Sequence, residues 1–352
     1  MTSLTTLKRA NTACSGLAGA QTVKGQVLYP PTANAHRWAA LRGRMKKLNN
    51  SNHKSDFVNI NGIRLHYLDW GGKGPTLIFL TGMGASAYIF DKFAPRFTDK
   101  FHVLALTRRG HGDSDCPEIG YDADTLAEDI RQFMDHLNIE KAILAGHSVA
   151  GVELTHFAAT YPNRAEKLIY LDALDDRRGL PEIHRQNPLR KIEIRREAST
   201  PHTFEEYVAD TKRDSPAIAE IWSALWDVEM AHEVKVNEDG IFIERMPESV
   251  AEMIFENLFN GYAPKRVDAK IPTLSFYALG IPKQSNAYTE EQKASFNQFF
   301  LNVRNPFYMS LISEFHTRFP HAKIVIIPDG HHFCFIAQEE LVYNEIREFL
   351  LE

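Results

Sequence analysis

The stretch Lys141-Ala142-Ile143-Leu144-Ala145-Gly146-His147-Ser148-Val149-Ala150-Gly151 decides how this chain reads. Residues 141–145 form an apolar run of strand length. Residues 149–161 follow at once with helical character. Between them Gly-His-Ser must turn the chain. A strand that feeds a helix through so short a link strains the serine backbone and admits only small neighbours. Gly146 and Ala150, two residues to either side of Ser148, are those neighbours. Such a turn lifts a hydroxyl above the strand end. The amides and partial positive charge of the helix N-terminus face it, so an oxyanion forming on a carbonyl carbon would be stabilised there. Ser148 is therefore the candidate nucleophile, and the Val149 amide a candidate oxyanion donor. Ala150 stands where the Gly-x-Ser-x-Gly pattern has a second glycine, and Ala is small enough.

Outward from this turn the pattern is regular. Residues 57–60 and 63–70 alternate apolar and polar around Asn61-Gly62, which predicts an antiparallel hairpin. Residues 76–80 are short and wholly apolar, as a strand buried on both faces requires. Residues 103–106, 141–145, 167–171, 273–277 and 323–327 repeat that character. Helices are expected at 87–97, 124–137, 149–161 and 338–350. Strands alternating with helices predict an α/β fold, a mostly parallel sheet with helices on both faces. The alternation breaks once, over 176–268. That stretch is charged and helix-like, with aromatic residues at Phe204, Tyr207, Trp222, Trp226, Phe255 and Phe259. A short hairpin is expected within 234–244, around Asp239-Gly240. The stretch is too long for a loop. It is expected as a mainly helical cap inserted over the C-terminal strand ends, with one or two aromatics lining a pocket and others forming its own core. The organisation is then an extension over 1–55, a core over 56–175 and 269–352, and a cap over 176–268.

A serine hydroxyl needs a base at neutral pH. Residues 324–327 are a buried strand, and Pro328-Asp329-Gly330-His331-His332-Phe333 follows it. A histidine on that loop reaches back over the sheet end. His332 is preferred because the loop needs a residue or two before it turns inward; His331 is the alternative. The base in turn needs a carboxylate that holds its tautomer. The usual place is the loop after 273–277, but no acid appears there before Glu290. The sound alternative is one strand earlier, where Leu171-Asp172-Ala173-Leu174-Asp175 ends the strand after the nucleophile helix. Asp172 is the expected acid, with Asp175 as the alternative. The second oxyanion donor is expected from Leu80-Thr81-Gly82-Met83-Gly84, where glycines on both sides of Met83 allow its amide a close approach.

Four motifs make the chain resemble the alpha/beta-hydrolase superfamily over residues 56–352: Thr81-Gly82-Met83-Gly84, Arg108-Arg109-Gly110-His111-Gly112-Asp113-Ser114, Gly146-His147-Ser148-Val149-Ala150-Gly151 and Gly330-His331-His332-Phe333. The order Ser, acid, His is the superfamily's order. Two positions depart from it: Thr81 stands where His is common, and Thr107 where Asp often opens the Arg-Gly-x-Gly-x-Ser loop. The group resembled is one of poorly characterised serine hydrolases. The resemblance implies the alpha/beta-hydrolase fold and Ser-His-Asp chemistry, and says little about substrate. A Ser nucleophile argues against the superfamily's epoxide hydrolases and haloalkane dehalogenases, which use Asp.

Composition narrows the reading further. The net charge of −5 hides an asymmetry. Residues 1–55 hold nine Lys/Arg and no acid; the rest hold 31 Lys/Arg and 45 acids, a balance of −14. The acidic body excludes nucleic acid as an expected partner. Three cysteines, Cys14, Cys116 and Cys334, do not make a disulfide framework, so a reducing, cytoplasmic setting is expected. The acid-free N-terminus also suits an organelle transit peptide, with a disordered tail as the plainer reading. Within 35–48, Trp38, Leu41, Met45 and Leu48 fall at helical spacing among basic residues, a pattern that fits membrane-surface contact or packing on the domain itself. No C-x-x-C or H-E-x-x-H pattern occurs, so neither metal nor cofactor is expected. The expected activity is hydrolysis of a carboxylic ester with a small to medium apolar substrate. Thioester, lactone or carbon–carbon hydrolysis, or ligand binding by a vestigial triad, are the alternatives.

Overall fold

The computed structural model of the chain describes residue 43 and residues 52–192, 200–267 and 270–352. In chain order the strands are β1 (Lys54–Ile60), β2 (Ile63–Gly71), β3 (Thr76–Leu80), β4 (His102–Leu106), β5 (Ala142–His147), β6 (Ala165–Leu171), β7 (Val234–Val236), β8 (Phe242–Glu244), β9 (Thr273–Ala278) and β10 (Lys323–Ile327). Eight of them form one sheet in the order β1-β2-β4-β3-β5-β6-β9-β10. The pairs β1/β2 and β2/β4 are antiparallel. All the other pairs in that sheet are parallel. The β1/β2 hairpin closes where Ile60 faces Ile63. Its two turn residues, Asn61 and Gly62, have φ of +48° and +76°, the left-handed pair that a two-residue hairpin turn needs.

The central strands are apolar throughout because both faces are covered. Leu77 and Phe79 of β3 pack with Phe90, Phe93, Phe97 and Phe335. Ile78 and Leu80 face the other way, into a cluster with Phe133, Leu154 and Phe157 of the helices Ala123–His136 and Ala150–Thr160. Two cores on opposite faces hold every parallel strand with its C-terminal end at one edge, and the site residues lie at that edge.

Two local expectations change. Residues 87–97 form two short 3-10 turns, Ala87–Phe90 and Ala94–Phe97, and not one helix. Pro95 has no N–H to continue an α-helix across the stretch. Between β9 and β10 lie two helices absent from the sequence reading, Glu290–Phe299 and Asn305–Arg318, joined by a wide turn at Phe300–Arg304. The first carries a complete capping box from Thr289 and Gln292, a signal visible in the sequence.

The region between β6 and β9 contains the helices Leu180–Arg185, Phe204–Asp214, Pro216–Glu220, Ala224–Glu233 and Glu248–Phe255, and the β7/β8 hairpin. Its apolar residues do not form a core apart from the sheet's. Phe204, Trp226, Val228 and Phe242 join the cluster around Phe79. Val250, Ile254, Leu258 and Phe259 join the cluster on the other face. At the opposite end, β1 begins at Lys54, and His53 Nδ1 lies 2.7 Å from Asp91 Oδ1. The last residues assigned to the N-terminal extension thus belong to the sheet. The amphipathic pattern over 35–48 lies outside the described residues apart from Gly43. Among the described residues, no helix is long and apolar enough to cross a membrane.

Candidate active site

The link between β5 and the helix Ala150–Thr160 places Ser148 at φ +56°. Among the described residues only Asn61, Asn138, Ser148 and Asp172 have positive φ without being glycine. Asparagine enters that region readily. The other two are the candidate nucleophile and the candidate acid, each just past a strand end. Backbone strain of this kind collects at functional sites. The small neighbours have steric reasons. A Cβ at Gly146 would come within 2.9 Å of Leu154 and 3.0 Å of the Ala150 Cβ. One at Gly151 would meet the Leu174 carbonyl oxygen at 2.6 Å. Gly151 therefore lets the nucleophile helix press against the loop after β6, which carries Asp172.

His332 Nδ1 lies 2.6 Å from Asp172 Oδ2. An ionised carboxylate only accepts, so Nδ1 carries the proton and donates it. The ring nitrogen left to serve as base is Nε2. Asp172 Oδ1 accepts the Ala278 N–H at 2.8 Å. The end of β9, which lacks the acid usual there, thus supplies an amide that holds the acid of the neighbouring strand. His331 is placed elsewhere: its Nε2 lies 3.1 Å from the Ala217 carbonyl, and its Nδ1 accepts the Phe333 N–H at 3.0 Å. Asp175 is taken by Arg318 through two bonds of 2.6 and 2.8 Å. Glu290 pairs with Lys293 in the first turn of its helix.

His147, the residue before the serine, has a role the sequence reading did not assign. Its Nε2 lies 3.0 Å from the His332 carbonyl oxygen. The two rings stand 4.6 Å apart. Burial pushes the His147 pKa well below its usual value, and the nearby His332 and Arg177 act in the same direction. His147 is thus neutral and donates from Nε2, tying the loop of the base to the elbow. Its buried Nδ1 has no hydrogen-bond partner.

The oxyanion loop lies against the serine. A Cβ on Gly82 would come within 2.8 Å of His147 Nδ1 and 3.2 Å of the Ser148 Cβ. Only glycine allows that approach. Beneath the loop, Arg108 donates to the Thr81 and Gly82 carbonyl oxygens at 2.7 and 3.2 Å. It also pairs with the buried Glu153 of the nucleophile helix. In a trans peptide the N–H points opposite to the C=O. With the Gly82 carbonyl directed at Arg108, the Met83 N–H points away from it. Arg108 is a positioning residue found only in the fold. Thr107, one of the two departures from the superfamily pattern, bridges loops: its Oγ1 accepts the Ala87 N–H at 2.9 Å and lies 3.0 Å from His66 Nδ1.

Ser148 is 9% exposed, whereas the His332 side chain is 46% exposed. The site therefore opens on the His332 side. Trp226 packs edge-on against Phe333 at 5.0 Å and covers the residue next to the base. Five positions beyond Asp172, Arg177 is buried against the ring of Phe259, 4.3 Å from its centroid. Trp226 of the inserted region thus stands beside the loop of the candidate base, and Phe259 beside Arg177.

A positive-φ serine at a β5–helix turn, a His–Asp pair at the neighbouring strand ends and a glycine loop against the serine are the arrangement expected from the resemblance to alpha/beta hydrolases. Comparison with known proteins bears on the fold. Residues 75–219 match the family model described as alpha/beta hydrolase fold. A 2-(acetamidomethylene)succinate hydrolase of Mesorhizobium japonicum is 36% identical over 101 residues, 29% of this chain and 36% of that protein. A soluble epoxide hydrolase of a Corynebacterium species is 36% identical over 115 residues, 33% of this chain and 40% of that protein. The matched stretch thus spans less than half of either relative. The crystal structure of E-2-(acetamidomethylene)succinate hydrolase superposes with a TM-score of 0.63 at 20% identity, covering 85% of this chain and 100% of that one. The chain thus has the alpha/beta-hydrolase fold.

Proposed function

We propose that this protein is a serine hydrolase that cleaves carboxylic esters through an acyl-enzyme. The observation that carries this reading is the 2.6 Å contact between His332 and Asp172 at the strand ends beside a positive-φ Ser148. His332 Nε2 takes the Ser148 hydroxyl proton as Oγ attacks the ester carbonyl carbon. The tetrahedral oxyanion is held by the Met83 and Val149 amides. Its collapse expels the alcohol, which receives the proton from His332. Water then attacks the acyl-enzyme with His332 again as base, and the carboxylic acid leaves. Asp172 stabilises the imidazolium in both half-reactions. Similarity to an epoxide hydrolase does not carry that activity here, since Ser148 occupies the nucleophile position.

The test uses a fluorophosphonate probe and p-nitrophenyl esters on the purified protein. The probe is expected to label Ser148. Ser148→Ala should lose labelling and at least ~10³-fold in kcat, keeping only oxyanion-hole and binding effects. Labelling without ester turnover would move the activity to a thioester, lactone or carbon–carbon bond. Neither labelling nor turnover would reject the hydrolase reading in favour of ligand binding.

A further inference from the structure

Among the described residues, the charged groups beside the candidate triad are engaged, with one exception. Asp172 holds His332 and the Ala278 amide. Asp175 is bound by Arg318, and Asp176 pairs with Arg178 at 2.6 Å. Arg108 pairs with Glu153. The exception is Arg177. It is only 8% exposed. Among the described residues it makes no ion pair, and its buried Nε has no hydrogen-bond partner. Its guanidinium lies over the face of Phe259. A guanidinium stays charged inside a protein. Burying it without an ion-pair partner costs several kcal/mol, so the fold holds it there against a penalty.

The position of Arg177 says what relieves that penalty. Five residues beyond Asp172, it lies within electrostatic reach of Asp172 and Arg108, and it acts in turn on His147. It therefore stands beside the triad, under the aromatic surface of the inserted region. The open side of the site is at His332. His332 protonates the leaving alcohol, so the alcohol occupies that open side. The acyl chain, which stays bound through both half-reactions, extends toward the enclosed side. A planar guanidinium in an enclosed site is matched by a carboxylate, through two parallel N–H···O bonds.

We infer that Arg177 binds a carboxylate at the far end of the substrate's acyl chain, so that the preferred substrates are half-esters of short dicarboxylic acids. This rests on the serine-hydrolase reading above. It departs from the small to medium apolar substrate expected from the sequence. Net charge sets the long-range field, whereas a buried unpaired cation decides recognition at contact.

The test compares mono-p-nitrophenyl glutarate with p-nitrophenyl pentanoate, which has the same chain without the carboxylate. Wild-type kcat/KM should favour the anionic ester by about tenfold or more, and Arg177→Gln should abolish that preference, as expected when one partner of a buried charge pair is removed. Arg177→Lys should restore part of it, because a single ammonium replaces the fork. The melting temperature of Arg177→Met should equal or exceed that of the wild type, since no native pair is broken. An unchanged preference, or a destabilised Arg177→Met that loses both esters alike, would overturn the proposal. Calorimetric titration of monomethyl glutarate into Ser148→Ala is independent of ester turnover. Saturable binding that is lost in Ser148→Ala/Arg177→Gln supports the anchor even if no ester is cleaved. An absence of binding to Ser148→Ala overturns it even if esters are cleaved.

Discussion

The loop after β4 and the loop after β6 both bury arginine, and they do so in opposite ways. After β4, Arg109 forms a fork on Asp129 with two bonds of 2.7 Å, and Asp129 also accepts the Asn61 side chain at 2.8 Å. Its neighbour Arg108 is spent on two carbonyls and Glu153. After β6, the acids Asp172, Asp175 and Asp176 are all taken, and Arg177 lies over the face of Phe259 with no ion pair among the described residues. A buried charge whose partners are all protein is scaffolding. A buried charge without such a partner keeps its capacity for a ligand. The contrast separates residues that hold the candidate oxyanion loop from the one proposed to address a substrate, although all three arginines are buried to a similar degree.

The largest expected effect lies on the β6 loop. Asp172→Asn should keep the fold but favour the wrong imidazole tautomer, lowering kcat by ~10⁴ as in a comparable triad. Asp175→Asn, three residues on, should instead cost about 1–3 kcal/mol of stability by loosening Arg318, with kcat little changed. Steady-state kinetics and urea unfolding on both variants decide this. Near-normal turnover by Asp172→Asn would transfer the acid's role elsewhere.

The β4 loop should respond mainly in stability. Arg109→Met leaves Asp129 buried without its counter-charge and should cost about 3–5 kcal/mol in urea unfolding. Adding Asp129→Leu should recover much of that loss, because the buried pair would then be replaced by apolar packing. Arg108→Met should act on catalysis as well, lowering kcat about 10–100-fold with a smaller change in KM, below the ~10²–10³ of a lost oxyanion donor because the amide is only displaced. If Arg109→Met and Arg177→Met shift the unfolding midpoint equally, the distinction between paired and unpaired cations fails.

The smallest effect concerns a third buried charge. Burial pushes the Glu233 carboxyl up to about 8, with Asp113 and Glu244 pushing the same way and the Gly112 amide and Arg245 opposing. A carboxyl raised in the fold is protonated there while the unfolded chain has already ionised. Its contribution to stability is therefore full below about pH 4.5, the unfolded value, and is lost as pH rises toward 8. Melting temperatures measured from pH 5 to 8.5 should fall less steeply for Glu233→Gln than for the wild type. Parallel slopes would show that Glu233 titrates as an ordinary surface acid.

Much of the frame was legible because it rests on local pattern. The apolar runs at 76–80 and 323–327 coincide with β3 and β10 residue for residue; β3 is buried on both faces, whereas β10, expected to be buried, is an edge strand of which only Ile327 is buried. The hairpin at Asn61-Gly62 and the elbow at Gly146-His147-Ser148 were legible for a related reason: their backbone angles demand particular residues. The helix Glu290–Phe299 carried a capping box that was overlooked, and the break within 87–97 carried its own signal in Pro95. His147, Arg108 and Arg177 left no such mark. His147 reads only as the variable residue of a motif, and the two arginines as ordinary basic residues near loops.

By itself, then, the sequence determined the α/β frame, the serine elbow, the glycine loop and the order of Ser148, Asp172 and His332 along the chain. Those features depend on neighbours a few residues away. The tertiary structure decided which charges meet. His332 and Asp172 are 160 residues apart in the chain and 2.6 Å apart in space. Asp175 turns to Arg318 because the helix Asn305–Arg318 crosses behind it, and Arg177 goes unpaired because every acid near it is already held. Sheet order and helix placement set those distances. A Coulomb interaction depends on separation in space and not along the chain, so no reading of the sequence one window at a time could assign the partners.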